Sequence, residues 1–433
     1  MLEANLPPCG GDVRQDRGGR AGTPGFRFAL LAFFALIAAA PATAATFEAK
    51  RGLNMDIWVT WPDESGWGDA GVLFPYPEWR RFTHEADLRA LKEAGFDFVR
   101  IPFDPAPFIS GTSARHLDRL YEEVSATVDM ALDADLKAIV DIHTIPRGDS
   151  PLGVEGVLAD EESFKAYLEI VRRMGRTISD RDPEMVAFEL MNEPSTACDA
   201  AGKAEWQERL VRLFAAARAS AIGTTLILPG GCGGSAEGLA AVDPRQVLDD
   251  NVIWTFHSYQ PFLLTHQGAE WAGDFIRYVT GLTYPPYAGG REVLETTLDE
   301  IRQRIRDEAP WARRAGMLSY LDEQIAEIDT PDKLATAVEA PFAEIAAWAK
   351  RYAIASEDIL LGEFGMIRQE YQNPSIVPAA ARAAYVKDMI EHAEAHGYGW
   401  AIWGYGGAFG VVDTFSGKKA EPDVLDVVRA LPR

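Results

Sequence analysis

From about residue 50 onward, short apolar runs bounded by Gly, Pro, Asn and Asp alternate with segments whose apolar residues recur at helical spacing. The runs predict strands at 52–57, 96–102, 137–143, 186–192, 224–229, 252–256, 359–363 and 400–404. Several of them, such as Ala138-Ile-Val, Leu226-Ile-Leu and Val252-Ile-Trp, are apolar on both parities. A strand with one face in water alternates, whereas a strand covered on both faces does not, so these runs suit a parallel sheet packed between helices. The intervening segments predict helices at 84–94, 117–132, 162–178, 204–222, 379–396 and 422–430. Gly95 is a good stop for the first of these, and Pro378 suits the start of the fifth.

Eight strands, each followed by a helix, predict an α/β chain folded as a (β/α)₈ TIM barrel. A doubly wound sheet is the alternative, weakened by the lack of a Gly-rich phosphate turn after the first strand. The cluster Gly230-Gly-Cys-Gly-Gly234 lacks that spacing and reads as a turn. The sixth and seventh strands lie far apart in sequence, although a βα unit needs only about 30 residues. A long insertion after strand 6, at about 260–350, is therefore expected. It would carry helices near 293–309 and 330–352 and sit on the C-terminal face of the strands. No Ser/Thr/Pro-rich linker and no internal repeat occur, so residues 45–433 read as a single catalytic domain.

Residues 1–44 read differently. Arg14, Arg17, Arg20 and Arg27 precede Phe28–Ala40, which is apolar throughout, and Pro41-Ala-Thr-Ala-Ala45 follows. A basic region, a short apolar stretch and a small-residue cleavage site predict a Sec-type signal peptide. The expected protein is secreted or periplasmic, with no membrane association after cleavage.

Composition narrows the partners. The 433 residues carry 42 Lys+Arg against 65 Asp+Glu, a net charge of −23. Such a surface repels phosphate backbones and anionic lipids, so nucleic acid is not expected as a partner. A neutral polysaccharide or oligosaccharide fits, and a monomer is expected. No cofactor fingerprint, no H-E-x-x-H and no Cys/His cluster with metal spacing is present. Neither a cofactor nor a metal is therefore expected. A serine esterase would need G-x-S-x-G, which is absent.

The chemistry sits where the strands end. Strand two ends with Arg100, strand three with His143 and strand four with Asn192-Glu193-Pro194. His257-Ser-Tyr259 follows strand six, Glu363 ends strand seven and strand eight carries Trp403. A buried core does not ask for these residues at one rim, and in a barrel those ends converge on one pocket. Paired carboxyls there suit glycoside hydrolysis, in which one carboxyl donates a proton and the other attacks the anomeric carbon. Arg100, with Tyr259 or His257, would hold Glu363 ionised as the nucleophile. Glu193, facing that charge, would keep its proton as the acid/base. Asn192 would bond a sugar hydroxyl, and Trp403 offers a flat face to a sugar ring. Glu189, four residues before Glu193, reads as a buried, ion-paired barrel residue.

These motifs, Arg51-Gly-Leu-Asn54, Val99-Arg-Ile-Pro102, Asp141-Ile-His143, Phe188-Glu-Leu-Met-Asn-Glu-Pro194, His257-Ser-Tyr259, Gly362-Glu-Phe-Gly365 and Trp400-Ala-Ile-Trp403, together resemble glycoside hydrolase family 5, the cellulase family of retaining (β/α)₈ enzymes. They run in the family's order from residue 51 to the C-terminal region. The resemblance implies the same roles for Glu193 and Glu363. It implies glycone-site roles for Arg100, His143, Asn192, His257, Tyr259 and Trp403. It points to a secreted endo-β-1,4-glucanase acting by double displacement. A β-mannanase or an exo- or endo-β-1,3-glucanase is the alternative within the family. A catalytically inactive carbohydrate-binding protein is the alternative of another class.

Two further readings concern the loops. Trp58, Trp61, Trp67, Phe74, Tyr76 and Trp79 crowd the first βα loop, and Phe262, His266 and Trp271 open the insertion. Each is either a sugar platform or packing of a long loop on the barrel. Cys198 and Cys232 follow neighbouring strands, and a disulfide between them is expected.

Overall fold

The apolar runs pair in parallel one after another, and the last returns to pair with the first. The computed structural model describes residues 45–432 apart from 62–63, 75–82, 146, 148–149 and 151. The expected targeting segment, Tyr76 and Trp79 thus lie outside the described residues. The strands are β1 (Arg51–Asn54), β2 (Phe98–Phe103), β3 (Lys137–Ile142), β4 (Val186–Glu189), β5 (Thr225–Pro229), β6 (Val252–His257), β7 (Ile359–Phe364) and β8 (Gly399–Ile402). They close in sequence order into a barrel, the TIM-barrel arrangement.

Side chains on a strand alternate between faces, so one parity fills the barrel. Phe98, Ile139, Ala187, Ile227, Ile253, Leu360 and Ala401 form one apolar layer, joined by Phe47 and Ala49 from the segment before β1. Two positions further along their strands stand Arg100, Asp141, Glu189 and Thr255, all fully buried. A second two-residue step on β3 and β6 reaches His143 and His257. The barrel thus passes from an apolar floor through a charged layer to a polar rim, with the rim at the C-terminal ends of the strands.

Four strands stop short of their expected ends, β3 by one residue, so that His143 stands just past Ile142. β1 pairs only to Asn54 before the chain turns. β4 ends at Glu189, so Asn192 and Glu193 stand on the loop beyond it. β8 ends at Ile402, which puts Trp403 just past the strand. The helix expected at 204–222 runs instead from Ala200 to Arg218. Asp199 caps it by accepting from the Gly202 N–H at 2.9 Å. Arg218 closes its far end by donating to the carbonyls of Ala221 and Thr224, each at 2.7 Å.

Between β6 and β7 the chain builds helices Arg291–Glu308, Arg314–Ala326 and Pro331–Tyr352. The last packs against the short helix Ala236–Ala240 that follows β5. Leu334, Val338, Phe342, Ile345 and Trp348, at helical spacing, form its buried stripe, and the Trp348 indole donates to the Val242 carbonyl at 2.9 Å. No helix among the described residues is long and apolar enough to cross a membrane.

Candidate active site

Arg100 organises the charged layer. Its Nε and Nη2 donate to the two carboxylate oxygens of Glu189 at 2.7 and 2.8 Å. Nη1 donates to Asn54 Oδ1 at 2.9 Å and to Glu363 Oε1 at 2.7 Å. Nη2 also reaches Asn192 Oδ1 at 2.9 Å and lies 3.0 Å from Asp141 Oδ2. A fully buried cation is tolerated only when paired and hydrogen-bonded on every side, and a planar guanidinium has the donors for it. Burial opposes its charge, but Asp141, Glu189 and Glu363 outweigh that and keep Arg100 protonated. Glu189 is the ion-pair partner it was expected to be.

Glu363 reaches the rim because the β7 ladder is irregular. On simple alternation with Leu360, Gly362 rather than Glu363 would face inward. The register shifts against both neighbours here, after Phe256 on β6 and between Leu361 and Phe364 on β7. Such irregularities re-aim side chains beside active sites. Gly362 is required in the same place, since a Cβ there would stand 2.5 Å from Thr255 Oγ1. Glu363 is 4% exposed, and Tyr259 donates its hydroxyl to Glu363 Oε2 at 2.9 Å.

Glu193 is presented by the loop after β4, in the left-handed region at φ 37°. Gly234, also left-handed at φ 69°, leaves it room, because a Cβ at that position would be 3.3 Å from Glu193 Cγ. The disulfide Cys198–Cys232 joins the loops after β4 and β5, with Cα atoms 4.9 Å apart. The Gly233 N–H donates to the Pro194 carbonyl at 2.9 Å, which adds a second tie between these loops.

Ligand atoms of Glu193, His257 and Glu363 all lie within 4.8 Å of one another. His257 Nδ1 is 2.8 Å from Glu193 Oε1 and 3.5 Å from Glu363 Oε2. Of the two holders expected for Glu363, Tyr259 takes that place and His257 pairs with Glu193. Burial lowers His257 to about 4, against the pull of Glu363, so its ring is neutral near pH 7. Burial also raises both carboxyls. His143 and Arg100 oppose this at Glu193, and His257 and Arg100 oppose it at Glu363. Direct contact separates the two: Glu363 accepts from a guanidinium and a hydroxyl, whereas among the described residues Glu193 meets the neutral imidazole of His257. These contacts favour the charged form of Glu363 and the protonated form of Glu193.

The remaining rim residues gather around this pair. Asn192 Nδ2 is 3.3 Å from His143 Nε2. His143 Nδ1 is 2.7 Å from Asp141 Oδ2, and its ring stacks on Trp403 with centroids 5.4 Å apart and planes 13° from parallel. A cavity of about 860 Å³ opens over Glu193, Glu363, His143 and Trp403. Besides the rim triad, one other group of possible cation ligands occurs among the described residues, Cys198, Cys232 and Glu237. Its two sulfurs are bonded to each other.

The loop aromatics divide. Trp58, Trp61, Trp67 and Phe74 are buried, so they pack the first βα loop onto the barrel. His266 is buried as well. Phe262 and Trp271, at 40% and 62% exposed, remain open to the cavity.

Sequence reasoning singled out neither Asp141 nor Asn54, although both stood in its strand-end motifs. Asn54 Nδ2 donates to the Gly362 carbonyl at 3.0 Å and so ties β1 to the strand bearing Glu363. Glu327, Pro341 and Glu344, from the segment between β6 and β7, also line the cavity, with nothing in their local sequence to announce it.

Comparisons with known proteins show the family and the barrel fold. The family model of cellulase (glycosyl hydrolase family 5) matches residues 63–408. Endoglucanase C of Acetivibrio thermocellus is 27% identical over 249 residues, covering 56% of this chain and 67% of that protein. Endoglucanase 3 of Fibrobacter succinogenes is 24% identical over 345 residues, covering 76% of this chain and 47% of that protein. The crystal structure of Thermotoga maritima Cel5A in complex with cellobiose shares the barrel fold. Its TM-score is 0.59 at 22% identity, over 88% of this chain and 97% of that one.

Proposed function

The chain belongs to glycosyl hydrolase family 5, and on that premise we propose that it is an endo-β-1,4-glucanase that retains anomeric configuration through a glycosyl-enzyme intermediate. It is a glycoside hydrolase whose family degrades glucans, so its substrate is a polysaccharide. One observation carries the mechanism. Carboxylate oxygens of Glu193 and Glu363 stand within 4.8 Å of each other. Retaining enzymes hold their carboxyls about 5–5.5 Å apart, whereas inverting enzymes leave about 6.5–9.5 Å for a water.

In the first step a Glu363 oxygen attacks the anomeric carbon and the bond to the leaving sugar oxygen breaks. Glu193 gives its proton to that oxygen, and the sugar is left as an ester on Glu363. In the second step the Glu193 carboxylate takes a proton from water, whose oxygen attacks the same carbon and frees Glu363. Arg100 and Tyr259 hold Glu363 as an anion and orient it for attack. Trp403, braced by His143, offers its face to the sugar ring, and Asn192 its amide to a ring hydroxyl. The cellulase family model supports the β-1,4 linkage, and the endoglucanase relatives support internal cleavage. Export to an oxidising compartment is part of the proposal, supported by the basic-apolar N-terminal pattern and by the paired cysteines.

The test is reducing-sugar release from soluble β-1,4-glucan, mixed-linkage glucan, β-1,3-glucan and β-mannan by the parent protein and by Glu363→Gln. Release from β-1,4-linked glucans that the substitution abolishes is the expected result. Release confined to another polymer overturns the substrate. Binding of sugar without any release overturns the hydrolytic mechanism.

A further inference from the structure

The chain enters the barrel across the strand ends opposite the catalytic rim. Three successive backbone N–H groups there donate to three side chains at neighbouring strand starts. The Phe47 N–H donates to the hydroxyl of Thr225, the first residue of β5, at 2.9 Å. The Thr46 N–H donates to Oδ1 of Asn251, just before β6, at 2.9 Å. The Ala45 N–H donates to Oδ1 of Asp358, just before β7, at 2.9 Å. Asn251 is itself fixed, since its Oδ1 also accepts from the Thr225 hydroxyl at 2.6 Å. The buried Phe47 ring then joins the apolar floor and meets Phe98 edge-on at 6.2 Å.

Two of these acceptors are neutral, as suits a peptide N–H. The third is a carboxylate, and its surroundings call for a cation. Asp358 is 8% exposed. Burial raises its carboxyl above the ordinary aspartate range, the Ala45 N–H opposes this, and the nearby acids Glu357 and Asp250 add to the rise. No Lys, Arg or His pairs with it among the described residues. A carboxylate so placed is costly without a partner of opposite charge. The sequence offers one. Ala42-Thr-Ala44 is the small-residue pattern of the expected cleavage site, and the bond after it joins Ala44 to Ala45. Hydrolysis of that bond would turn the very nitrogen that faces Asp358 from an amide into an α-ammonium.

We propose that export ends in cleavage of the Ala44–Ala45 bond, and that the new α-ammonium of Ala45 forms an ion pair with Asp358 that fastens the mature terminus to the barrel floor. This rests on the export reading. The step is a peptide hydrolysis by a signal peptidase. Water gives its hydroxyl to the Ala44 carbonyl carbon and a proton to the Ala45 nitrogen as the C–N bond breaks. The new Ala44 carboxyl releases a proton and the Ala45 amine takes one up. Before cleavage Asp358 accepts from an uncharged N–H, and afterwards both partners carry charge, which strengthens the same hydrogen bond. Cleavage one residue later would remove the donor and leave Asp358 without it.

The first measurement is the N-terminal sequence of the protein recovered from a bacterial host that expresses the full chain. An exported protein beginning Ala45-Thr-Phe-Glu is expected. Another first residue in an exported protein overturns the inference and keeps export. A protein retained inside the cell with residues 1–44 attached overturns both. The second measurement is the rate at which trace acetic anhydride acetylates the Ala45 α-amine at pH 7. It compares the folded parent with Asp358→Asn by mass spectrometry, with the lysines as internal reference. Asn keeps an acceptor oxygen and removes only the charge. Just the uncharged amine reacts, and an ammonium held by a carboxylate gives up its proton less readily. The α-amine of Asp358→Asn is expected to react about tenfold faster than the parent's, as for an ammonium about ten times more acidic once the carboxylate is gone. Glu357 and Asp250 are the same in both proteins and do not alter the comparison. Equal rates overturn the ion pair and keep export.

Discussion

Arg100 Nη1 donates to Glu363 Oε1 across 2.7 Å, inside a barrel layer that holds two further carboxyls, Asp141 and Glu189, against the same guanidinium. One cation thus serves three acids, all nearly inaccessible to water. Replacing it by an apolar residue of similar length strands them. Arg100→Met is expected to lower the free energy of unfolding by about 3–5 kcal/mol, the usual cost of removing one partner from a buried ion pair. The urea midpoint measures it. A variant as stable as its parent would mean that the three acids are already neutral in the fold.

On the proposed double displacement, with Glu363 as nucleophile and Glu193 as acid/base, the pH dependence of catalysis follows from these two rim carboxyls. Burial raises both, so the acid limb of kcat/KM, set by ionisation of Glu363, lies above the ordinary glutamate range. The alkaline limb reports loss of the Glu193 proton. The two limbs belong to a coupled pair. Glu193→Gln is expected to remove the alkaline limb on an aryl cellobioside whose phenol departs without a proton. Where Glu363 titrates, Glu193 is still protonated, so a neutral Gln in its place leaves the acid limb where it was. An alkaline limb unchanged in the variant would assign the proton to another group.

The barrel was legible in the sequence because strands covered on both faces lose their alternation, and helices between them keep theirs. The rim was legible for a related reason: Arg100, His143, Glu193 and Glu363 break apolar runs at their ends, where a core has no use for charge. What decided the rest was distance across strands, which no local pattern encodes. Glu363 faces inward through a register shift between β6 and β7 that leaves no mark in Gly362-Glu-Phe. His257 pairs with Glu193 because the loop after β4 brings that carboxyl to 2.8 Å, and Tyr259 is left for Glu363. Trp58 and Trp271 look alike as loop tryptophans, yet one is fully buried and the other is mostly open. Burial of a loop side chain depends on what folds over it, here the barrel wall for Trp58.

The disulfide closes a loop of 34 residues that begins just after Glu193. Its removal frees the unfolded chain and takes away the covalent tie between the loop carrying Glu193 and the loop after β5. Cys198→Ser/Cys232→Ser is expected to lose about 2–4 kcal/mol of stability, in line with closure of a loop of this length. Thermal unfolding of parent and variant without reductant measures it. Addition of reductant should bring the parent to the variant's value and leave the variant unmoved. Cys198 is exposed and Cys232 half-buried, so a parent indifferent to reductant would show that the two sulfurs are not bonded in solution.

Titration of the buried interior contains two opposed contributions. Burial raises Asp56 and Asp141 to about 7, so each binds its proton more tightly folded than unfolded. Their stabilisation is complete at low pH and is lost as pH rises through 7. Burial lowers His257 to about 4 and His266 to about 3, so each prefers to be neutral in the fold. Their stabilisation is complete above the unfolded value of about 6.5 and is lost as pH falls toward 4 and 3. Between pH 7 and pH 5 these two contributions run in opposite directions. His266→Phe keeps the aromatic contacts to Phe262 and Phe409 and deletes one of the losses. Its unfolding free energy, compared with the parent's, should rise by about 2 kcal/mol on going from pH 7 to pH 5, the linkage for one histidine displaced by more than two units. Urea unfolding of both proteins at the two pH values measures that difference directly. Parallel pH dependences in the two proteins would show that His266 accepts a proton in the folded state as readily as in the unfolded chain.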